Sequence, residues 1–462
     1  MRSGLRPLVP PMSESAQLPL RRIEAVEPGL APREGYAPCV IGVTVDLDPR
    51  KLATYCFGAW EPLLYDALLV SAVVEYCDRI CQRPARGWGR HFDVVVPVDN
   101  PRRWEDPLVK SALVDALRKL TGDRWEFSFV SRRTPYPAIL QATLQWPQIS
   151  SIVMPFSDGM DSRAAATLLR HEPLVLVRLG KKQIDRPKMG GRRLAFTTVP
   201  YKVPGRDFPE TSGRSRGFKF AMVGALAAYL SRATRIAVPE SGQGALGPIF
   251  VGHHDGDYRS HPVFLRKMER FVRALLSHKI AYEFPRLWHT KGQTLRAAIA
   301  ATTDTAWRET RSCWQPSTQM ALPGERRQCG FCAACLLRRL SVHAAGESED
   351  ADTYMLENLS APTLAAGMAA GYDLTKLGEA QQGYAVAGAL HLDHLAALSA
   401  ARDKPHHFGR QIRELARALD ASAADVERRA REMLAQHEAE WRAFLRTLAP
   451  ASFVRQRSLV VS

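Results

Sequence analysis

The sequence predicts an α/β protein built on a doubly wound parallel sheet, with an N-terminal α+β domain before it and a helical C-terminal region after it. Short apolar runs typical of buried parallel strands recur from residue 150 onward, namely SSIVMPF, PLVLVRL, RLAFTTVP and TRIAVPE. Helical patterns lie between or after these runs, as in DSRAAATLLRH and GFKFAMVGALAAYLSRA. From residue 352 to the end, apolar residues recur three and four positions apart, which indicates helices that pack by one face.

Size and charge exclude some classes of protein. A chain of 462 residues with 46% hydrophobic residues can bury several cores. It contains no apolar run of roughly 18 residues that would span a membrane, and its first 35 residues lack the order of a signal peptide. We therefore expect a cytoplasmic protein. The net charge of +16 suits nucleic acid or nucleotide phosphates, and residues 170–219 alone hold 13 basic and 4 acidic residues.

The expected domains follow from these patterns in chain order. Residues 1–36 are rich in Pro, Ser and Arg without periodicity, which predicts a mobile tail. Residues 37–147 are expected to form the α+β domain, because the strand-like runs CVIGVTVDL, HFDVVVPV and RWEFSFVSR alternate with the helical patterns WEPLLYDALLVSAVVEYCDRI and PLVKSALVDALRKLTG. Residues 148–345 contain the parallel sheet, and residues 346–462 form the helical region.

The stretch MPFSDGMDSRAAATLL, residues 154–169, predicts an anion site. A strand followed by a small polar turn and a helix presents backbone N–H groups and hydroxyls at a helix N-terminus, where the helix dipole also favours negative charge. The turn lacks the lysine and the spacing of a Walker A loop. The alternative is that Ser157 and Asp158 only cap the helix. We call residues 157–162 the phosphate turn.

The grouping of four cysteines predicts a metal site. Cys313 is followed by Cys329, Cys332 and Cys335 in CxxCxxC spacing, in a chain expected to be in a reducing compartment. Four thiolates at this spacing favour a structural zinc ion with no coordination position left for water. An iron–sulfur cluster and unliganded thiols are the alternatives. We call these four residues the cysteine cluster.

The phosphate turn resembles the SGGxDS signature of the PP-loop ATP pyrophosphatases, which have a HUP-like fold. Asp158 departs from that pattern, which has glycine at this position. The resemblance implies that the turn holds the β- and γ-phosphates of ATP, and that Asp161 helps to hold Mg²⁺. The nucleotide-binding residues would be Ser157, Asp158, Gly159, Met160, Asp161 and Ser162.

The phosphate turn and the cysteine cluster together resemble the QueC family of 7-cyano-7-deazaguanine synthases. That family has a Cys and then CGxCxxC, matched here by Cys313 and CGFCAAC, and a TKxE-type segment, matched loosely by HTKGQTLRAA. Lys291 would then reach a phosphate. Arg216, in SGRSRGFKF, would clamp the triphosphate or the substrate carboxylate. The catalytic residues would thus be Asp161, Lys291 and Arg216.

The chain is longer than a housekeeping QueC and is similar to the enlarged QueC-like proteins of anti-phage systems, the QatC proteins and the QueC-like component of type IV CBASS. This resemblance implies that ATP activates a 7-deazaguanine carboxylate, which is then joined to an amine such as a protein N-terminus. A PP-loop enzyme that modifies tRNA and a non-catalytic scaffold are the alternatives. The loop FVGHHDGDYRSHP is a further polar segment, suited to substrate contact or to a second metal.

Overall fold

The computed structural model describes residues 19–48, 61–84, 88–135, 152–157, 159–178, 188–189, 192–193, 195–198, 201–205, 208–252, 256–303, 305–315, 321–322, 325–400 and 406–460. All structural statements below concern these residues. Within them, no helix is both long and apolar enough to cross a bilayer.

The N-terminal part contains a four-stranded sheet that is parallel throughout, in the order β2-β1-β4-β5. Its elements are β1 (Leu20–Val26), β2 (Ala37–Val40), β3 (Asp46–Leu47), α1 (Pro62–Ile80), β4 (His91–Val98), α2 (Pro101–Glu105), α3 (Pro107–Thr121) and β5 (Arg124–Ser131). The run HFDVVVPV forms β4 from end to end, and Gly122 ends α3 in the left-handed conformation, with φ of 73°. Because helices connect the parallel strands, this part has α/β organisation rather than separate helices and strands.

The mobile tail predicted over residues 1–36 does not extend as far as expected. Strand β1 lies inside that range and pairs with both β2 and β4, and Ile23 is 1% exposed. The strand was missed because LRRIEAV carries three charged residues in a Pro-rich context, although Ile23, Ala25 and Val26 are buried.

The central sheet has five parallel strands in the order β10-β7-β6-β12-β13. Its elements, with two short hairpin strands, are β6 (Ile152–Phe156), α4 (Met160–Leu168), β7 (Leu174–Arg178), β8 (Lys188–Met189), β9 (Arg192–Arg193), β10 (Ala195–Thr198), β11 (Tyr201–Lys202), α5 (Arg216–Leu230), β12 (Arg235–Ala237), α6 (Gly242–Ala245), α7 (Gly247–Val251), α8 (Pro262–Leu276), β13 (Ala281–Glu283) and α9 (Lys291–Ala301). The four predicted strand runs all form strands of this sheet, which confirms the doubly wound fold. The strand order reverses between β6 and β12, and ligands bind at such switch points.

The two sheets share one hydrophobic core. Helix α1 packs against α5, and α3 packs against α8, so that buried apolar residues of both parts, among them Ile23, Phe129, Val153 and Tyr282, form a single cluster. Polar contacts add to this packing: Lys219 Nζ lies 2.8 Å from Glu75 Oε2, and the Ser215 amide donates to Asp78 Oδ2 over 2.8 Å. The N-terminal sheet is therefore packed as part of the body that holds the central sheet.

The C-terminal region is helical, as predicted. It follows the short hairpin β14 (Ala321–Leu322) and β15 (Glu325–Arg326) and the helix α10 (Ala333–Ala344). Its own helices are α11 (Leu364–Gly367), α12 (Glu379–Ala400), α13 (His406–Leu419) and α14 (Ala423–Arg446). Helices α12 and α14 pack on each other and on α10. The buried face of α14 includes Met433, His437, Trp441 and Phe444, at the spacing of one helix face.

Candidate active site

The phosphate turn is held by the side chains of its two serines. Ser162 is 2% exposed, and its Oγ accepts from the Ser157 amide over 3.1 Å and lies 2.8 Å from the Ser157 carbonyl oxygen. Ser157 Oγ accepts from the Gly159 amide over 3.1 Å. No described side chain caps α4 at Gly159, which leaves the first N–H groups of the helix available to a ligand. Asp158 lies outside the described residues.

Lys291 and Asp161 face each other beside this turn. Lys291 is the first residue of α9, and its Nζ lies 2.5 Å from Asp161 Oδ2 in the first turn of α4. Burial lowers the pKa of Lys291, but the carboxylates of Asp161 and Glu240 outweigh this effect and raise it, so that the lysine stays charged. Asp161 Oδ1 is buried and has no hydrogen-bond partner among the described residues. The pair thus leaves one carboxylate oxygen for a further ligand.

The segment after β12 supplies a third side of the site, which the sequence analysis missed. Glu240 lies beside Asp161 and Lys291, and burial together with the Asp161 charge raises its pKa to about 7. Gly244 makes room for it, since a Cβ at this position would lie 2.1 Å from Glu240 Oε1. A signal was present in the sequence: PESGQGALG follows a strand of the parallel sheet, as the phosphate turn does.

Arginines line much of the surrounding cleft. The cleft has a volume of about 1440 Å³ and is bordered by Arg163, Arg178, Arg216, Arg259, Arg308 and Arg311. Arg216 begins α5, and burial together with the like charge of Arg259 lowers its pKa. The Arg216 guanidinium lies 5.0 Å from the centre of the Phe220 ring. These arginines and Lys291 suit a ligand with several negative charges. Acidic residues also border the cleft, namely Asp161, Glu240, Asp257, Glu309 and Asp352.

The structure brings most of the predicted site residues to one cleft. Ser157, Gly159, Asp161, Ser162, Lys291 and Arg216 all border the cleft. Met160 does not present its side chain there, because it is 1% exposed and packs with Leu295, Trp307 and Val342. Only its backbone can therefore contact a nucleotide.

The polar loop FVGHHDGDYRSHP is described only in part. Its residues 253–255 lie outside the described residues. Asp257 accepts from Arg259 Nε over 2.8 Å, and His261 Nδ1 accepts from the Val263 amide at the start of α8. These described side chains are engaged in contacts of their own. Among the described residues, the cysteine cluster is the only group of three or more His, Cys, Asp or Glu side chains placed closely enough to hold a metal ion together.

The cysteine cluster has the geometry of a metal site. Its four sulfur atoms lie within 4.8 Å of one another. Cys329 Sγ and Cys335 Sγ are 3.7 Å apart, close to the roughly 3.8 Å that a tetrahedron of Zn–S bonds of about 2.3 Å requires. The amides of Cys329 and Cys332 donate to the sulfurs of Cys313 and Cys329. Because Cys313 also borders the cleft, the cluster fixes one wall of the site.

A parallel α/β sheet with the phosphate turn at its switch point is the arrangement that the resemblance to PP-loop ATP pyrophosphatases leads us to expect. Residues 234–346 match the model of the family described as "Queuosine biosynthesis protein QueC". This segment, which is less than half of the chain, is thus similar to the QueC family. The matched residues include Glu240, Lys291 and the cysteine cluster, whereas the phosphate turn and the C-terminal helices lie outside them. Searches of curated proteins and of solved structures gave no match.

Proposed function

We propose that the protein uses ATP to adenylate a 7-deazaguanine carboxylate and then transfers the acyl group to an amine. The observation that carries this proposal is the 2.5 Å contact between Lys291 and Asp161. It joins the phosphate turn to the QueC-like segment at the switch point of the sheet. The match to the QueC family supports a 7-deazaguanine-related substrate.

The proposed reaction has two steps. A carboxylate oxygen attacks the α-phosphorus of ATP, the bond to the β-phosphate oxygen breaks, and pyrophosphate leaves. The amine nitrogen then attacks the acyl carbon, AMP leaves with the bridging oxygen, and the amine loses a proton. No nucleophilic side chain is needed, because positioning and electrostatics supply most of the acceleration in phosphoryl transfer. Lys291 and Arg216 would neutralise charge on the phosphates, and the turn N–H groups would hold the leaving pyrophosphate.

The described residues offer ligands for two metal ions, one at the cysteine cluster and one at Asp161. The cysteine cluster would hold a structural zinc ion, since all four ligands come from the protein. Asp161 would help to hold Mg²⁺, because its buried Oδ1 has no hydrogen-bond partner among the described residues and Mg²⁺ prefers oxygen ligands. When bound, Mg²⁺ would offset phosphate charge.

We further propose a protein amine as acceptor, in an anti-phage defence system. The cleft volume of about 1440 Å³ exceeds the roughly 300–1,000 Å³ typical of small-molecule sites. The cleft continues from the phosphate turn to Arg311 and Trp314, whose side chain lies at the surface with 65% exposure. This extension provides room for a chain end beside ATP and the heterocycle. Ammonia is the smaller alternative acceptor and would give a primary amide, which a second activation by ATP can convert to a nitrile.

Pyrophosphate release tests the proposal. Purified protein is incubated with ATP and Mg²⁺, with and without 7-carboxy-7-deazaguanine. We expect release that depends on the carboxylate and falls at least about 100-fold in Lys291→Met, which removes the charge and keeps most of the length. Lys376→Met is the matched control, because Lys376 is exposed and outside the cleft. Carboxylate-dependent release that is equal in wild type and Lys291→Met would contradict the assignment of Lys291.

A tRNA-modifying enzyme is the second candidate, favoured by the net charge of +16. Such an enzyme should copurify with RNA and bind it with a steep dependence on salt. A non-catalytic scaffold is the third candidate, motivated by Asp158 in place of glycine in the turn. The scaffold would bind its partners but would release no pyrophosphate with any carboxylate.

A further inference from the structure

The C-terminal helix α14 contacts the backbone of Lys291 through one intermediate residue. Gln243, in the short helix α6, accepts from the Lys291 amide through Oε1 over 2.7 Å. The other end of its amide, Nε2, lies 2.7 Å from Nδ1 of His437 on α14. Gln243 and His437 are 194 residues apart in the chain, and His437 lies outside the residues that match the QueC family.

The hydrogen bonds that link Lys291, Gln243 and His437 fit one assignment of donors and acceptors. His437 Nε2 lies 2.8 Å from the Leu392 carbonyl oxygen, so it must carry the proton and donate. Nδ1 is then an acceptor and receives the hydrogen bond from Gln243 Nε2. This orientation leaves Gln243 Oε1 to accept from Lys291. His437 is 0% exposed and Gln243 is 2% exposed, so water cannot replace these bonds.

A second contact joins α14 to the residue before Lys291. Thr290 caps α9, where its Oγ1 accepts from the Gln293 amide over 3.0 Å. The same hydroxyl donates to Glu440 Oε1 over 2.7 Å. Gly292 follows Lys291, and a Cβ there would lie 3.2 Å from Glu440 Oε2 and 2.6 Å from the Ala344 Cβ. The first turn of α9 therefore packs closely against the end of α10 and against Glu440 of α14.

We infer that His437, through Gln243, positions Lys291 against Asp161, so that the C-terminal helical region acts on the phosphate site without contacting ATP. The role in catalysis rests on the proposed function, whereas the effect on the placement of Lys291 does not. His437 is a positioning residue. It fixes the start of α9, from which the Lys291 side chain reaches the phosphate turn, and a misplacement of about 1 Å at a reacting group can cost on the order of 100-fold in rate.

The test compares three substitutions on α14 and one on α6. His437→Phe removes both hydrogen bonds and keeps a ring, whereas His437→Gln keeps an acceptor for Gln243. Trp441→Phe is the matched control: it lies one turn away on the same buried face and loses one hydrogen bond, to Asp393. Gln243→Met removes the hydrogen bonds of Gln243 to Lys291 and to His437. It replaces His437→Phe as the test if that variant does not fold.

Two measurements distinguish an effect on the position of Lys291 from a general loss of fold stability. In pyrophosphate release, His437→Phe and Gln243→Met should lower kcat about tenfold or more, with KM for ATP within about threefold. His437→Gln should restore most of the rate. Trp441→Phe should lower the melting temperature with kcat within about twofold. The second readout is acylation of Lys291 by an amine-reactive ester, measured by mass spectrometry against exposed Lys376, and it should rise several-fold in His437→Phe and Gln243→Met only.

Failure of the inference differs from failure of the proposed function. If wild type releases no pyrophosphate but the labelling of Lys291 changes as expected, the placement role stands and the proposed reaction fails. If the labelling of Lys291 in His437→Phe and Gln243→Met equals that in wild type and Trp441→Phe, the inference is overturned, whatever the activity.

Discussion

At the scale of single residues, Ser162 has a larger role than its place in a phosphate signature indicates. Its hydroxyl is buried and lies within hydrogen-bond distance of four groups of the turn, namely the amide, the carbonyl oxygen and the hydroxyl of Ser157 and the carbonyl oxygen of Gly159. It thus shapes the backbone that would receive a phosphate.

Ser162→Ala should therefore weaken both the fold and ATP binding. Loss of a buried hydroxyl that satisfies a backbone amide costs about 1 to 3 kcal/mol. We expect a free energy of unfolding lower by this amount in denaturant titration, and weaker ATP binding in calorimetry. Ser157→Ala is the comparison, since the Ser157 residue is less buried and its hydroxyl contacts only the Gly159 amide and the Ser162 hydroxyl among the described residues. Unchanged ATP affinity in Ser162→Ala would contradict the assignment of the turn.

Because His437 is buried, we expect the free energy of unfolding to depend on pH. Burial lowers its pKa from 6.5 to about 4, which outweighs the Leu392 carbonyl and the carboxylates of Asp393 and Glu438. Since the folded-state pKa is the lower one, the neutral ring contributes stability that is fully present above pH 6.5 and is lost as the pH falls to 4. The maximum is roughly 3 kcal/mol.

The measurement is the unfolding free energy of wild type and His437→Gln between pH 7.5 and pH 4. The advantage of wild type should shrink as the pH falls through this window, because glutamine does not titrate. A difference that stays constant over the window would show that His437 is not held neutral by burial.

At the scale of elements, strands and helices with a strong period could be predicted and their tertiary partners could not. HFDVVVPV forms β4 from its first residue to its last, and Gly122 ends α3, because both depend on local backbone preference and apolar pattern. Strand β1 was missed, since its stability comes from two neighbouring strands rather than from its own composition.

The candidate site shows the same limit. The phosphate turn and the cysteine cluster are short motifs that carry their own signal. The segment after β12, with Glu240 and Gln243, had a signal in the sequence, but its contacts with the phosphate turn and with His437 depend on the strand order, which brings β12 beside β6, and on the position of α14. Contacts between residues 194 positions apart leave no local pattern in one sequence.

The cysteine cluster should act as a structural element. Three of its residues are 0% exposed and belong to a core that includes Trp441 and Phe444. Structural zinc sites contribute on the order of 10 kcal/mol of binding energy, much of it folding energy. Cys332→Ser combined with Cys335→Ser should therefore lose zinc in metal analysis and unfold at a clearly lower temperature.

The control is Cys39→Ser, a buried cysteine of the N-terminal sheet outside the cluster. It should retain one zinc ion per chain. Full zinc content in the double variant, or no zinc in wild type, would contradict the zinc assignment.

At the scale of the whole molecule, three regions converge on one cleft. The N-terminal part shares the core of the central sheet, and Asp78 on its helix α1 accepts from the Ser215 amide at the start of α5. The central sheet supplies the phosphate turn and Glu240. The C-terminal helices hold the start of α9, and with it Lys291. The N-terminal part and the C-terminal helices therefore pack directly against the domain that forms the site.

The central claim is that a substrate carboxylate attacks the α-phosphorus of ATP. The most direct measurement is to label that carboxylate with a heavy oxygen isotope and to follow the label by mass spectrometry after complete turnover. Adenylation predicts AMP and pyrophosphate as products, with one labelled oxygen in AMP, because AMP leaves with the oxygen that bridged the acyl group and the phosphorus. Label in inorganic phosphate, with ADP as the other product, would mean attack on the γ-phosphorus and would contradict the account.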